Sequence, residues 1–200
     1  MTERIPFRWQ AHLPAAVAAC TAVFAAHGVV AIPTETFYGL AVPPDDQEAL
    51  DRLFALKGRP REKAVPVVVA SLPQAATLVH LPEAWVNRLA TAWPAPLTVV
   101  LPAHRGGTLA VRVPAHPLLR ALLERLGPLT ATSANVAGGP PAVTPAEVEE
   151  ALGEGLALIL DGGAAPGGLP STLLDLTASP PRLLRPGAWP VDPAWGVKVV

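Results

Sequence analysis

The sequence predicts an α/β fold of the mixed (α+β) kind, a mixed sheet with helices packed on it. Strand-like and helix-like segments alternate along the chain, yet several neighbouring strands follow one another without a helix between them, unlike a regular doubly wound parallel fold. Two hundred residues at 20.7 kDa suffice for one domain with a real core. Half of the residues are hydrophobic and 16% are charged, while 25 Pro and 16 Gly stay short of low complexity. Disordered and collagen-like classes are therefore excluded.

The first helix is read from Val17, Cys20, Thr21 and Phe24 at helical spacing, with Pro14 suited to a first turn and Gly28 closing the segment. Arg4 and Arg8 ahead of the Ala-rich run imitate a secretory signal, but this amphipathic spacing favours a folded helix. Val29 to Pro33 reads as a buried strand, and Asp45 or Asp46 caps a helix with Ala49, Leu50, Leu53 and Phe54 on one stripe. Val65 to Ala70 is a β-branched strand and Pro82 to Trp93 a helix. Leu97 to Leu101 and Leu109 to Val113 are strands, and Leu118 to Leu126 is a helix closed by Gly127. Leu129 to Thr132 resumes the sheet. Thr144 and Glu147 form a capping box for a short acidic helix, followed by strands at Leu156 to Leu160, Ser171 to Leu176 and Arg182 to Leu184. Prolines cluster between these elements, where they stiffen loops without removing ladder hydrogen bonds.

A net charge of −1 argues against nucleic-acid binding by bulk electrostatics. Its distribution is uneven: residues 51–130 carry ten Lys and Arg against four Asp and Glu. Such a segment can hold an anion, although a solvated basic face is the commoner meaning. The single cysteine, Cys20, excludes an internal disulfide and fits a reducing cytoplasm. No stretch approaches the roughly 18 apolar residues of a membrane span. Walker, dinucleotide-binding, nucleophile-elbow and zincin motifs are absent, and the five histidines lack ligand spacing.

The chemistry is therefore sought in polar residues at strand ends. The run Lys57-Gly-Arg59-Pro-Arg61-Glu-Lys63 follows a capped helix. Its cations either complement the negative helix end or, turned by Gly58, grip a polyphosphate. Thr132-Ser133-Ala134-Asn135 reads as a polar turn or as a shelf of neutral donors and acceptors, and similar shelves stand at Thr34-Glu35-Thr36 and Ser171-Thr172. Three such shelves beside a cationic cluster suggest a small polar substrate together with a nucleotide.

Seven ordered segments carry a resemblance. They are Pro33-Thr34-Glu35-Thr36-Phe37-Tyr38-Gly39-Leu40, Lys57-Gly58-Arg59-Pro60, Trp93-Pro94-Ala95-Pro96-Leu97-Thr98, Val111-Arg112-Val113-Pro114, Thr132-Ser133-Ala134-Asn135, Pro170-Ser171-Thr172 and Leu184-Arg185-Pro186-Gly187. From about Gly28 to Ala188 the chain resembles the YrdC/TsaC family of threonylcarbamoyl-AMP synthases. The family's K-x-R and S-x-N pairs correspond here to Lys57 with Arg59 and Ser133 with Asn135.

The resemblance implies a YrdC-like fold, a twisted mixed sheet whose concave, positively charged face holds the site. It implies that L-threonine, bicarbonate or CO2, and ATP give threonylcarbamoyl-AMP and pyrophosphate. A separate transferase then passes the group to an adenosine of tRNA. Carbamate attack on a phosphate needs positioning and charge neutralisation more than a covalent nucleophile, in keeping with this inventory. Mg2+ arrives with ATP. By resemblance Thr34, Arg112, Ser133 and Ser171 hold threonine, with Arg112 on its carboxylate. Arg59, Lys63, Asn135 and Arg185 hold ATP, helped by backbone near Val143, and Lys57 stabilises charge at the carbamate and α-phosphate. The catalytic set is Lys57, Arg59, Ser133 and Asn135, and Arg61 is expected to face solvent.

Three residues depart from the family pattern. Ala95 replaces a usual glycine, Ala64 stands where proline is frequent, and Val68 occupies a position where longer relatives present a histidine. One domain over residues 1–200 is expected, without the further C-terminal domain of longer relatives, acting as a cytoplasmic monomer. The competing readings are a module for double-stranded RNA or tRNA and a paralogue of this fold without synthase activity. The first lacks interleaved aromatic and basic residues, leaving at most weak RNA binding. Related carbamoyl-transfer chemistry of hydrogenase maturation lacks its accompanying segments here.

Overall fold

The computed structural model describes residues 2–58 and 65–199. Strand β1 (Glu3–Pro6) leads through a 3-10 turn into helix α1 (Leu13–Ala25), with Pro14 in its first turn. β2 (Val30–Ile32) and β3 (Gly39–Ala41) form an antiparallel pair. Asp46 caps α2 (Gln47–Lys57) by accepting from the Ala49 amide at 3.0 Å, and Gly58 ends the helix at φ 59°. The cap and the stop together place Lys57 in the last turn of that helix.

Next come β4 (Val67–Val68), the single-turn α3 (Leu72–Ala75), α4 (Glu83–Ala92), β5 (Leu97–Pro102) and β6 (Thr108–Arg112). The His116 ring accepts from the Leu119 amide at 3.1 Å and so starts α5 (Pro117–Leu126). β7 (Leu129–Thr130) and β8 (Thr132–Ser133) precede α6 (Pro145–Leu152), whose Thr144/Glu147 capping box is formed as expected. The remaining strands are β9 (Leu158–Asp161), β10 (Thr172–Asp175), β11 (Arg182–Arg185) and β12 (Lys198–Val199).

The mixed α/β class read from the sequence is the class observed, but the strands hydrogen-bond as two sheets among the described residues. One has the order β1-β9-β2-β3-β8 and the other β12-β11-β10-β5-β6-β4-β7. The run expected as one strand from Leu129 to Thr132 is where the chain changes sheets. β7 pairs antiparallel with β4, the Ala131 amide donates to the Pro66 carbonyl at 2.8 Å, and β8 pairs antiparallel with β3. Period-two patterning reports that two runs of residues face opposite ways but not that they pair in different sheets.

Alternation along β2 distributes the apolar side chains to two cores. Val30 and Ile32 pack with Ala16, Cys20, Leu119 and Leu122 of α1 and α5, whereas Val29 and Ala31 pack with Ala49, Leu53 and Val148 of α2 and α6. A third core lies on the second sheet, where Val99, Val111 and Leu174 meet Leu89, Trp93 and Trp195. β1 escaped the sequence reading because its residues are mostly exposed and lack apolar alternation. It is held instead by parallel pairing to β9. Among the described residues no helix is long and apolar enough to cross a membrane.

Candidate functional site

Between the two sheets lies a cavity of about 800 Å³. The first sheet and its loops supply Thr34, Thr36, Gly39, Thr132 and Ser133, and the second supplies Val68, Thr98, Arg112, Ser171 and Arg185. Ala131, where the chain crosses from one sheet to the other, is part of the wall. Three hydroxyl shelves far apart in sequence thus meet around one space.

Each shelf is fixed by local chemistry. The Thr34 hydroxyl donates to the Phe37 carbonyl at 2.7 Å and accepts from the Thr36 amide at 3.1 Å, closing a tight turn after β2. Ser171 lies 2.8 Å from Thr98, hydroxyl to hydroxyl, across the β10 and β5 neighbours. Arg185 rests on the same serine, donating to its carbonyl at 2.8 Å and to its hydroxyl at 3.1 Å. Thr98 and Thr36 join the wall although the resemblance assigns them no role. The signal for Thr98 was a hydroxyl in an otherwise apolar strand.

Among the described residues two cations line this space. Arg112, at the end of β6, is 7% exposed, and its guanidinium makes no side-chain hydrogen bond among the described residues. Its charged neighbour is Glu35, with Nη1 to Oε1 at 3.7 Å. Burial lowers the Arg112 pKa and the Glu35 charge opposes that shift. Arg185 keeps its outer atoms in solvent, and its pKa is lowered by partial burial first and then by the nearby charge of Arg112. Glu35 lines a second, smaller cavity of about 250 Å³ beside His116. Burial depresses the His116 pKa, with Glu35 acting in the opposite direction.

The residues implied for threonine, namely Thr34, Arg112, Ser133 and Ser171, come together in the wall of the main cavity with Arg185. Val68 is part of that wall, an apolar residue where longer relatives of the family present a histidine. Lys57 and Asn135 sit just behind it. Lys57 is 3% exposed and donates to the carbonyl of Ser133, to the Asn135 carbonyl at 2.9 Å and to the Asn135 side-chain oxygen at 3.3 Å. The Asn135 amide donates to the carbonyls of Val136 at 2.9 Å and Gly139 at 2.8 Å. Val143 lies outside the wall, its amide held by the Glu147 carboxylate at 2.7 Å and its carbonyl accepting from Ala165 at 2.7 Å. Arg59, Arg61 and Lys63 fall outside the described residues. Among the described residues no cluster of His, Cys, Asp or Glu suits a metal ion.

This geometry is accompanied by extensive similarity to known proteins. The Sua5_yciO_yrdC family model, whose description is "Telomere recombination", matches residues 22–187. A threonylcarbamoyl-AMP synthase of Pseudomonas aeruginosa is 40% identical over 169 residues, covering 80% of this chain and 90% of that protein. One from Pyrococcus abyssi is 39% identical over 175 residues, and the chain spans about half (52%) of its length. Among solved structures, P. abyssi Sua5 complexed with L-threonine superposes with a TM-score of 0.84 at 34% identity, covering 95% of this chain and 58% of that one. Escherichia coli YciO gives a TM-score of 0.84 at 25% identity, covering 96% and 99%.

Proposed function

This chain belongs to the Sua5/YciO/YrdC family, and from that membership we propose that it forms L-threonylcarbamoyladenylate from L-threonine, bicarbonate or CO2, and ATP, as a nucleotidyltransferase. The observation that carries the reading is the convergence of Thr34, Ser133 and Ser171 with Arg112 and Arg185 around one cavity. Neutral hydroxyls suit a small hydroxylated amino acid, and the two guanidiniums suit a carboxylate and a polyphosphate. Arg112 takes the threonine carboxylate, Arg185 the ATP phosphates, and Lys57 acts through the loop it holds, fixing Ser133 and Asn135 at the cavity edge.

The threonine amine adds to CO2 with loss of a proton, giving a carbamate. A carbamate oxygen then forms a bond to the α-phosphorus as the bond to the β-phosphate oxygen breaks, and pyrophosphate leaves. The protein supplies proximity and fixed positive charge for this displacement. Mg2+ would enter with ATP, held mainly by its phosphate oxygens and by water. The mixed anhydride requires a transferase that moves the acyl group to an adenosine of tRNA, and a cytoplasmic setting fits that partner. The RNA-binding alternative gains nothing from this site, where Arg112 is buried in a cavity wall and does not line an open face.

Incubation with ATP, Mg2+, bicarbonate and L-threonine is expected to release pyrophosphate in a threonine-dependent manner. Equal release with serine, alanine or no amino acid would overturn the assignment.

A further inference from the structure

The two guanidiniums that share the cavity differ in their backing. Arg112 is buried with a carboxylate at 3.7 Å, and both oxygens of that carboxylate are themselves buried without a hydrogen-bond partner. Among the described residues Arg112 is the side chain that pairs with Glu35, and the His116 ring beside the smaller cavity feels the same charge. Arg185 lies against the neutral carbonyl and hydroxyl of Ser171, and no carboxylate contacts it among the described residues. Since the Glu35 carboxylate oxygens are buried and the residue lines the smaller cavity and not the main one, it acts on a ligand in the main cavity through Arg112 and not by touching it.

We propose that Glu35 sorts the two anionic substrates between the two arginines, making Arg112 a site for a monoanionic carboxylate and leaving polyphosphate to Arg185. The inference rests on the substrate assignment above. A guanidinium next to a carboxylate keeps its directional donors but presents little net charge, whereas one on neutral groups presents a full charge. Hydrogen bonding to a carboxylate depends mainly on the donors. Attraction of a phosphate grows with each negative charge on the ligand, so quenching one arginine penalises phosphate more than carboxylate. At roughly 7 Å and an effective dielectric of about 20, one unit of charge changes affinity on the order of tenfold or more. Without this bias ATP, the more highly charged substrate, would occupy the amino-acid position of its own reaction partner.

The test measures threonine affinity in rising inorganic phosphate, together with direct calorimetric titration of phosphate alone. In the wild type, phosphate leaves the threonine Kd unchanged. In Glu35→Gln, phosphate competes with threonine and raises its apparent Kd on the order of tenfold over a phosphate range that leaves the wild type unchanged. The added phosphate site disappears in Glu35→Gln/Arg112→Ala. Equal phosphate sensitivity of wild type and Glu35→Gln, or an added site that survives loss of Arg112, overturns the proposal. Ser171→Asp is the converse variant and carries the test should Glu35→Gln lose its cooperative melt. It gives Arg185 the acidic neighbour that Arg112 has, and phosphate affinity must fall on the order of tenfold; an unchanged affinity overturns the proposal. A wild type that binds no threonine would sink the substrate assignment itself, while the phosphate titrations still read the charge difference between the arginines.

Discussion

The two polar clusters that flank the cavity are built on opposite plans. On the side of β8 a buried lysine ties a loop together: Lys57 reaches three oxygens of Ser133 and Asn135, and Asn135 in turn holds Val136 and Gly139. On the side of β10 the backbone does that work. The Ala188 amide donates to the Pro170 carbonyl at 2.8 Å, and Thr172 exchanges hydrogen bonds with the backbone of Trp189 at 2.6 and 3.1 Å. Trp189 leans on Trp195, which stacks on Trp85. The cation of the first cluster is therefore an interior strut. The cation of the second, Arg185, is anchored at one edge and turns the rest of its donors outward.

The largest expected effect separates these plans by stability. Lys57→Ala removes a buried ammonium and leaves its acceptors without that donor, a loss of about 3 kcal/mol. For a chain of this size that lowers Tm by about 6–12 °C. Arg185→Ala should stay within about 0.5 kcal/mol of the wild type in urea unfolding. Its threonine-dependent pyrophosphate release should nevertheless fall on the order of 10²-fold. A Lys57→Ala protein as stable as the wild type would break the comparison at its stronger end.

This contrast also marks how far the sequence was legible. The Asp46 cap, the Thr144/Glu147 capping box and the alternation in β2 are local patterns, and the structure forms all three. Lys57 was read as either a complement to a helix end or a grip on phosphate. Its burial under the 133–139 loop depends on a hydrogen bond spanning 76 residues, which no local pattern encodes. The division into two sheets at Ala131 and the placement of Glu35 behind Arg112 were hidden for the same reason. Thr98 and Ser171 are separated by 73 residues and meet only through the parallel pairing of β5 with β10.

The backbone-built cluster has its own point of failure. A Cβ at Gly187 would fall 2.5 Å from the Ser171 carbonyl carbon and 2.5 Å from the Thr172 nitrogen, and closer still to the Pro170 oxygen. These are main-chain atoms of the shelf itself, so no side chain can yield in their place. Gly187→Ala should cost about 1–3 kcal/mol, as overpacking does. Because the displaced segment carries Ser171 and the contact with Arg185, threonine and ATP affinities should fall together. Calorimetry that found either affinity untouched would show the strap to be separable from the site. The corresponding substitution in the other loop, Gly138→Ala, meets open space and only the strain of φ 87°. It should leave both affinities near wild type, sharpening the contrast.

The smallest effects are expected from single hydroxyls, and they test whether the shelves recognise a ligand or only close their own turns. The Thr34 hydroxyl already serves the 34–37 turn, and the Ser171 hydroxyl already meets Thr98 and Arg185. A hydroxyl oxygen carries two lone pairs and one proton, so Ser171 keeps one position toward the cavity, and Thr34 gains one when the Thr36 hydroxyl, 3.0 Å away, turns its proton to a ligand. Thr34→Ala and Ser171→Ala should weaken threonine on the order of tenfold, about 1.4 kcal/mol, with ATP affinity changed less at Thr34 than at Ser171. The asymmetry follows from Arg185, which touches the second hydroxyl and not the first. Selectivity gives the stricter reading, since a site that hydrogen-bonds the threonine hydroxyl discriminates against the analogue lacking it. Loss of the recognising group should lower the preference for threonine over 2-aminobutyrate. If both variants kept that preference while losing stability, the shelves would be turn closures alone, and threonine recognition would have to come from the remaining wall of the cavity.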